Sequence, residues 1–92
     1  MFTLSAKLTF HIPHAASLKD KRQVRWSLID KTRQRFNVSV AEVDTQDMHQ
    51  TLTIGIAVVS GEATHAQQAL YEVIRFMEEH TDAELTGLEH YE

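Results

Sequence analysis

The chain has 92 residues, of which 42% are hydrophobic and 24% are charged, and its formal net charge at pH 7 is -4. A chain of this size holds one small core, and this composition is typical of a globular domain and excludes a disordered one. It contains no cysteine, which excludes a disulfide framework and a thiolate metal site. With neither a signal-peptide pattern at its start nor a run of ~20 apolar residues, we expect a soluble, cytoplasmic protein.

A strict alternation opens the chain and predicts the first strand. From Phe2 to Ile12 every second residue is apolar and the residues between are polar, as in a strand with one buried face. Pro13 ends this strand, because proline has no backbone N–H to donate. Ser17 and Asp20 then have the spacing of a capping box, so we expect the first helix to begin near Leu18.

The apolar residues of this helix fall within one arc when successive residues are placed about 100° apart. The predicted core stripe contains Leu18, Val24, Leu28, Ile29, Thr32 and Phe36. We expect Asn37 to end the helix in the left-handed conformation.

The second half of the chain predicts two strands, a helix and a last strand. The segment 38–44 is rich in β-branched residues, and a polar connector, 45–50, separates it from an alternating strand. The inward residues of that strand are Leu52, Ile54, Ile56 and Val58. The Ser60-Gly61 pair ends it, and apolar residues then recur at helical spacing up to His80. The segment 83–91 is predicted to be an edge strand.

This order of elements predicts an α+β protein with the ferredoxin-like βαββαβ arrangement, as a single domain over residues 1–92. Such a domain has a four-stranded antiparallel sheet with two helices on one face.

Three runs of this sequence resemble the YlxP-like family of bacterial proteins, a family of unknown function. They are FHIPHAASLKDKR at 10–22, RFNVSVAEVD at 35–44 and GIAVVS at 55–60. The resemblance implies a ferredoxin-like fold and a bacterial cytoplasmic protein, often encoded near transcription-elongation, translation-initiation and ribosome-maturation factors. That neighbourhood suggests work on RNA or the ribosome by association only. Arg25 and Thr32 stand where the family usually has leucine, and Trp26 where a basic residue is usual.

Charge is distributed very unevenly along the chain. Residues 17–36 contain seven of the nine lysines and arginines but only two of the thirteen acids. By helical geometry, four of these residues form an exposed stripe opposite the core: Lys19, Arg22, Trp26 and Arg33. Cations beside an exposed aromatic ring suit looped or single-stranded RNA. The same residues also fit a contact with a protein partner or second copy, or a solvated surface.

A second group of polar residues surrounds the start of the first helix. His11, His14, Ser17 and Lys21, beside Lys19 and Arg22, form a candidate phosphate or carboxylate site, because amide N–H groups and cations there attract anions. The alternative is that Asp20 compensates the local charge and the lysines extend to solvent. A third hypothesis, an enzyme, would place a small anionic ligand at this group.

Neither a metal site nor a complete catalytic motif is predicted. The six histidines lack a metal-ligand spacing, and the chain has no Walker loop, serine-nucleophile motif or glycine-rich phosphate loop. We therefore expect no cofactor and an RNA- or ribosome-associated accessory protein that binds through its basic first helix. The alternative is a homodimeric protein-interaction module without nucleic-acid binding, for which the small, flat outer face of the sheet offers a contact surface.

Overall fold

The computed structural model describes residues 1–91 and contains six helices and strands in that range. In chain order they are β1 (Phe2–His11), α1 (Leu18–Arg35), β2 (Ser39–Glu42), β3 (Thr51–Ser60), α2 (Ala63–Glu79) and β4 (Glu84–Tyr91). The strands form one antiparallel sheet in the order β2-β3-β1-β4. The predicted ferredoxin-like βαββαβ fold is confirmed.

The core lies between the helices and one face of the two central strands. Alternate residues of β1 and β3 are directly opposite one another, as in the pairs Leu8–Ile54 and Phe10–Leu52, and all four of these side chains are fully buried. The buried face of α2 completes this core with Ala66, Leu70, Val73, Ile74 and Met77. The alternation in β1 and β3 therefore produces the layered structure directly, because successive strand residues point to opposite faces.

Helix α1 contributes much less apolar surface to the core than the predicted stripe suggests. Of that stripe only Leu28 and Thr32 are fully buried. The Thr32 hydroxyl donates a hydrogen bond of 2.8 Å to the Leu28 carbonyl, which satisfies its polar group inside the helix. The other stripe residues are half-buried at the edge of the core: Leu18, Val24, Ile29 and Phe36.

Both ends of α1 show how local sequence sets a helix boundary. Ser17 accepts a hydrogen bond from the Asp20 backbone N–H, and the Asp20 carboxylate accepts one from the Ala16 N–H, so the predicted cap is present. At the other end, Phe36 is the C-cap and is extended, with φ of -133°. The prediction of a left-handed Asn37 is wrong, because within residues 1–91 only Asp44 among non-glycine residues has a positive φ, of 66°.

The two edge strands differ in length and in the contacts that protect them from solvent. The β2 strand has four residues, and the carbonyl of Val40 accepts a hydrogen bond of 2.9 Å from the Arg33 guanidinium. The β4 strand has eight residues, none of which is fully buried. Neither helix in the described range is long and apolar enough to span a membrane.

Candidate nucleic-acid interface on the first helix

The exposed stripe predicted on α1 is present on the surface. Trp26 is 70% exposed, although tryptophan is one of the residues that gains most from burial. Lys19, Arg22 and Arg33 are also exposed. The helix therefore presents one bare indole ring among three cationic side chains, as the helical spacing predicts.

A shallow groove of about 360 Å³ lies beside Trp26, between α1 and the edge strand β2. Its lining consists of Arg25, Trp26, Ile29, Arg33, Ala41, Glu42 and Gln46. Trp26 and Arg33 thus border one groove, whereas Lys19 and Arg22 lie outside it on the same helix. The Trp26 ring has the chemistry to stack on a base and the Arg33 guanidinium the chemistry to bind a phosphate. The Arg25 guanidinium is paired with Glu42 in the same groove.

Most cations of α1 have no acidic partner in the described part of the chain. Arg25 forms an ion pair with Glu42 at 3.1 Å, and Lys21 forms another with the same carboxylate at 2.8 Å. Within residues 1–91 no ion pair involves the remaining five, Lys19, Arg22, Lys31, Arg33 and Arg35. Because no neighbouring carboxylate reduces their charge, such surface cations attract an incoming anion more strongly than paired ones do.

Arg33 has a structural contact and still keeps donors for a ligand. One terminal nitrogen of its guanidinium binds the Val40 carbonyl at 2.9 Å. The guanidinium has five N–H groups in a planar fork, so one such bond leaves others for a phosphate. This bond also fixes the direction of the side chain along the groove.

Lys21 does not belong to an anion site, in contrast to the prediction. Its side chain is fully buried, and its ammonium donates to the carboxylate of Glu42 and to three backbone carbonyls, two in the connector between β2 and β3 and one at the first residue of β3. Those carbonyls belong to Thr45, Gln46 and Thr51, at 2.6, 3.3 and 3.3 Å. Lys21 therefore anchors the connector and has no room for an external ligand.

The other members of the predicted anion site face different neighbours. The Ser17 hydroxyl is used by the helix cap. A ring nitrogen of His11 lies 3.2 Å from the Gln50 carbonyl. His14 lines a cleft between α1 and the end of α2 that also contains Lys31 and His80. These contacts do not assemble the predicted group around a shared ligand.

Sequence reasoning missed the connection between α1 and the connector. Glu42 is 4% exposed in its side chain and accepts from both Lys21 and Arg25. The one indication in the sequence is the position of Lys21 within the core arc of the helix, since a lysine there requires a buried partner. The identity of that partner depends on tertiary structure.

A second groove, of about 400 Å³, lies on the face of the sheet that the helices leave open. Lys7 on β1 donates to the Asp44 carboxylate at 2.7 Å across this groove, and Tyr91 donates to Glu89 beside it. The hydrogen bond to Asp44 is the main cause that raises the pKa of Lys7 above its ordinary value, and the hydrogen bond to Glu89 raises that of Tyr91. In the described range this face has one ion pair, Lys7–Asp44, and neither β1 nor β3 places a phenylalanine, tyrosine or tryptophan on it.

The comparisons with known proteins agree with this description of the fold. A de novo designed protein with a ferredoxin fold, solved by solution NMR, superimposes with a TM-score of 0.64 over 100% of this chain and 87% of its own, at 16% identity. The designed protein Ferredog-Diesel has a TM-score of 0.53 and 7% identity over 99% of this chain and 85% of its own. At these identities the likeness concerns the fold alone.

The sequence comparisons identify the family. The uncharacterized protein YlxP of Bacillus subtilis (strain 168) is 35% identical over 72 residues, which cover 78% of this chain and 78% of the relative. The model of the family described as "Protein of unknown function (DUF503)" matches residues 3–90. The chain therefore belongs to the DUF503 family, which includes YlxP-like bacterial proteins.

Proposed function

We propose that this protein is a cytoplasmic RNA- or ribosome-associated accessory protein that binds RNA through the exposed stripe of α1. The single observation that carries the proposal is the 70% exposure of Trp26 on a helix with seven cations, five of which form no ion pair within residues 1–91. A ring left in water at that position is available for stacking on a base. The neighbouring Arg22 and Arg33 supply charge for the flanking phosphates.

The length of the stripe indicates the size of the ligand. Lys19 and Arg33 are fourteen residues apart on a continuous helix, which corresponds to about 21 Å along the helix axis. That distance suits a short looped or single-stranded segment of RNA, whose bases are free to stack on a ring. A regular RNA duplex has its bases already stacked, so it offers Trp26 no base.

The test is a titration of the protein with a short single-stranded RNA, followed by the fluorescence of Trp26. This is the only tryptophan in the chain, so the signal reports on the proposed contact. We expect Trp26→Ala to weaken binding, measured by RNA anisotropy, by about 5- to 150-fold, the equivalent of 1–3 kcal/mol of base stacking. Trp26→Phe is expected to retain part of the affinity.

The matched control is Tyr71→Ala, since Tyr71 is an aromatic residue on α2 with 59% exposure. It is expected to leave RNA binding unchanged. No RNA-dependent change in Trp26 fluorescence at micromolar concentration, or equal losses in the two alanine variants, would refute the proposal.

The second candidate function is a homodimeric protein-interaction module without nucleic-acid binding. The observation that favours it is the edge strand β4, whose eight residues are all at least partly exposed. Dimerisation is also compatible with the first proposal, because β4 lies at the opposite edge of the sheet from β2 and the groove beside α1.

A further inference from the structure

The two edges of the sheet are protected to different degrees. Exposed strand edges attract other strands, and proteins guard them with short strands, charged side chains or covering groups. β2 is four residues long, and Arg33 caps its Val40 carbonyl. β4 is twice as long and contains no lysine, arginine or proline, and its charged residues are the acids Glu84 and Glu89. A bulge opposite Thr9 and Phe10 interrupts its pairing with β1, but the part from Gly87 to Tyr91 is regular.

The helix layer also leaves β4 uncovered. Leu88 is paired with Leu8 of β1, so both side chains point to the helix side of the sheet. Leu8 is fully buried there, whereas Leu88 is 42% exposed. At the end of the strand, His90 and Tyr91 border a gap of about 230 Å³ beside α2. The outer side of β4 thus combines backbone groups that have no strand partner within residues 1–91 with an apolar side chain, Leu88, that is largely exposed.

We propose that the β4 edge binds the β4 edge of a second copy, antiparallel and about a twofold axis, to form a continuous eight-stranded sheet. A second copy is the occupant that the two unequal edges favour. Because Arg33 and the short β2 guard the far edge, growth stops after two copies, and the assembly is a closed dimer and not a fibre.

Charge selects the register of this dimer. An axis through Leu88 places the two Leu88 side chains together on the helix side and puts Glu89 opposite Gly87 of the partner. An axis through Glu89 brings two carboxylates face to face, which is unfavourable. The register through Leu88 therefore buries the exposed leucine and separates the like charges.

The size of the contact predicts a reversible dimer. A contact made by one strand from each copy buries less than the roughly 1,200 Å² at which stable complexes begin. Interfaces of this smaller size are weak and transient. In such a dimer the two β2 strands form the outermost edges of the sheet. The α1 groove beside each β2 therefore stays open, and the two β2 strands lie about 34 Å apart at the usual strand spacing.

The first test is sedimentation equilibrium of the full chain over a range of concentrations up to sub-millimolar. We expect the wild type to show a concentration-dependent monomer–dimer equilibrium. Leu88→Lys is expected to weaken association by more than about tenfold, because it replaces two facing leucines with two like charges. Val59→Lys, with the same charge change on the open face of the sheet, is the matched control and is expected to dimerise as the wild type does.

The second test introduces no lysine into β4, so it does not require the Leu88→Lys variant to fold. The chain has no cysteine, so Leu88→Cys places one thiol at the proposed axis, where directly opposed residues of antiparallel strands are close enough for a disulfide. Mild oxidation is expected to produce a covalent dimer from Leu88→Cys and little from Val59→Cys. A monomeric wild type, or preferential linkage through Val59→Cys, would overturn the β4 dimer.

These outcomes are separate from RNA binding. The Trp26 titration can be repeated on Leu88→Lys, whose α1 stripe is unaltered. If Leu88→Lys is monomeric and still binds RNA, both proposals are supported, whereas a dimeric wild type that fails to bind RNA would refute the RNA proposal alone.

Discussion

Lys21 is the residue on which the connector between β2 and β3 most depends. It is fully buried and donates to Glu42 and to three carbonyls. Lys21→Met is expected to lower the free energy of unfolding by about 3–5 kcal/mol, because it removes one partner of a buried ion pair and leaves those acceptors without a donor. Urea denaturation followed by circular dichroism measures this loss.

A double variant separates the ion pair from the carbonyl contacts. In Lys21→Met/Glu42→Leu the buried carboxylate is absent, so we expect part of the stability to return. The carbonyls of Thr45 and Gln46 remain unsatisfied, and recovery is therefore incomplete. A double variant less stable than Lys21→Met would mean that Glu42 stabilises the protein mainly through Arg25.

The ion pair between Lys7 and Asp44 gives a prediction for alkaline pH. The hydrogen bond to Asp44 raises the pKa of Lys7 above its ordinary 10.5, so its contribution is complete below 10.5 and disappears as the pH rises through the raised value. We expect wild type and Lys7→Met to differ in unfolding free energy at neutral pH and to converge in alkaline solution. Asp44→Asn, which keeps a residue tolerant of positive φ, should remove the same pH-dependent difference. A gap between wild type and Lys7→Met that persists at high pH would contradict this account.

At the scale of elements, the two helices differ in their N-terminal caps. α1 has the Ser17 cap, whereas Glu62 at the N-cap of α2 makes no side-chain cap hydrogen bond. Glu62→Ser is expected to raise the free energy of unfolding by about 1 kcal/mol, and Ser17→Ala to lower it by about 0.5–2 kcal/mol. Thermal unfolding of the two variants checks both signs, and a Glu62→Ser variant no more stable than the wild type would contradict the prediction for α2.

The sequence predicts most of these elements because strand and helix periods depend on neighbouring residues. The pattern from Phe2 to Ile12 needs no tertiary information, nor does the Ser17 cap. The end of α1 is less predictable: Asn37 tolerates a left-handed backbone, but the chain leaves the helix through the extended Phe36 and reaches β2 at Ser39 without a positive φ. The sequence also does not predict the hydrogen-bond acceptors of the Lys21 ammonium, because they lie 21–30 residues away along the chain. Exposure of Trp26 follows from helical spacing alone, whereas the groove beside it requires the position of β2.

At the scale of the molecule, charge separation orients any encounter with a polyanion. The chain as a whole carries -4, yet α1 holds most of the cations. We therefore expect a nucleic acid to be repelled by most of the surface and attracted to α1. The local charge of α1, and not the net charge, therefore governs the proposed binding.

The dependence of RNA binding on salt tests this local control. Each phosphate neutralised on a single strand adds about -0.7 to the slope of log K against log salt concentration, so contacts from Lys19, Arg22 and Arg33 together predict a slope of roughly -2. Arg22→Gln is expected to make the slope shallower by about 0.7. Arg75→Gln removes the same charge from α2, where Arg75 is paired with Glu79, and should leave the slope unchanged. Equal changes in the two variants would mean that net charge controls binding and that α1 makes no specific contact with RNA.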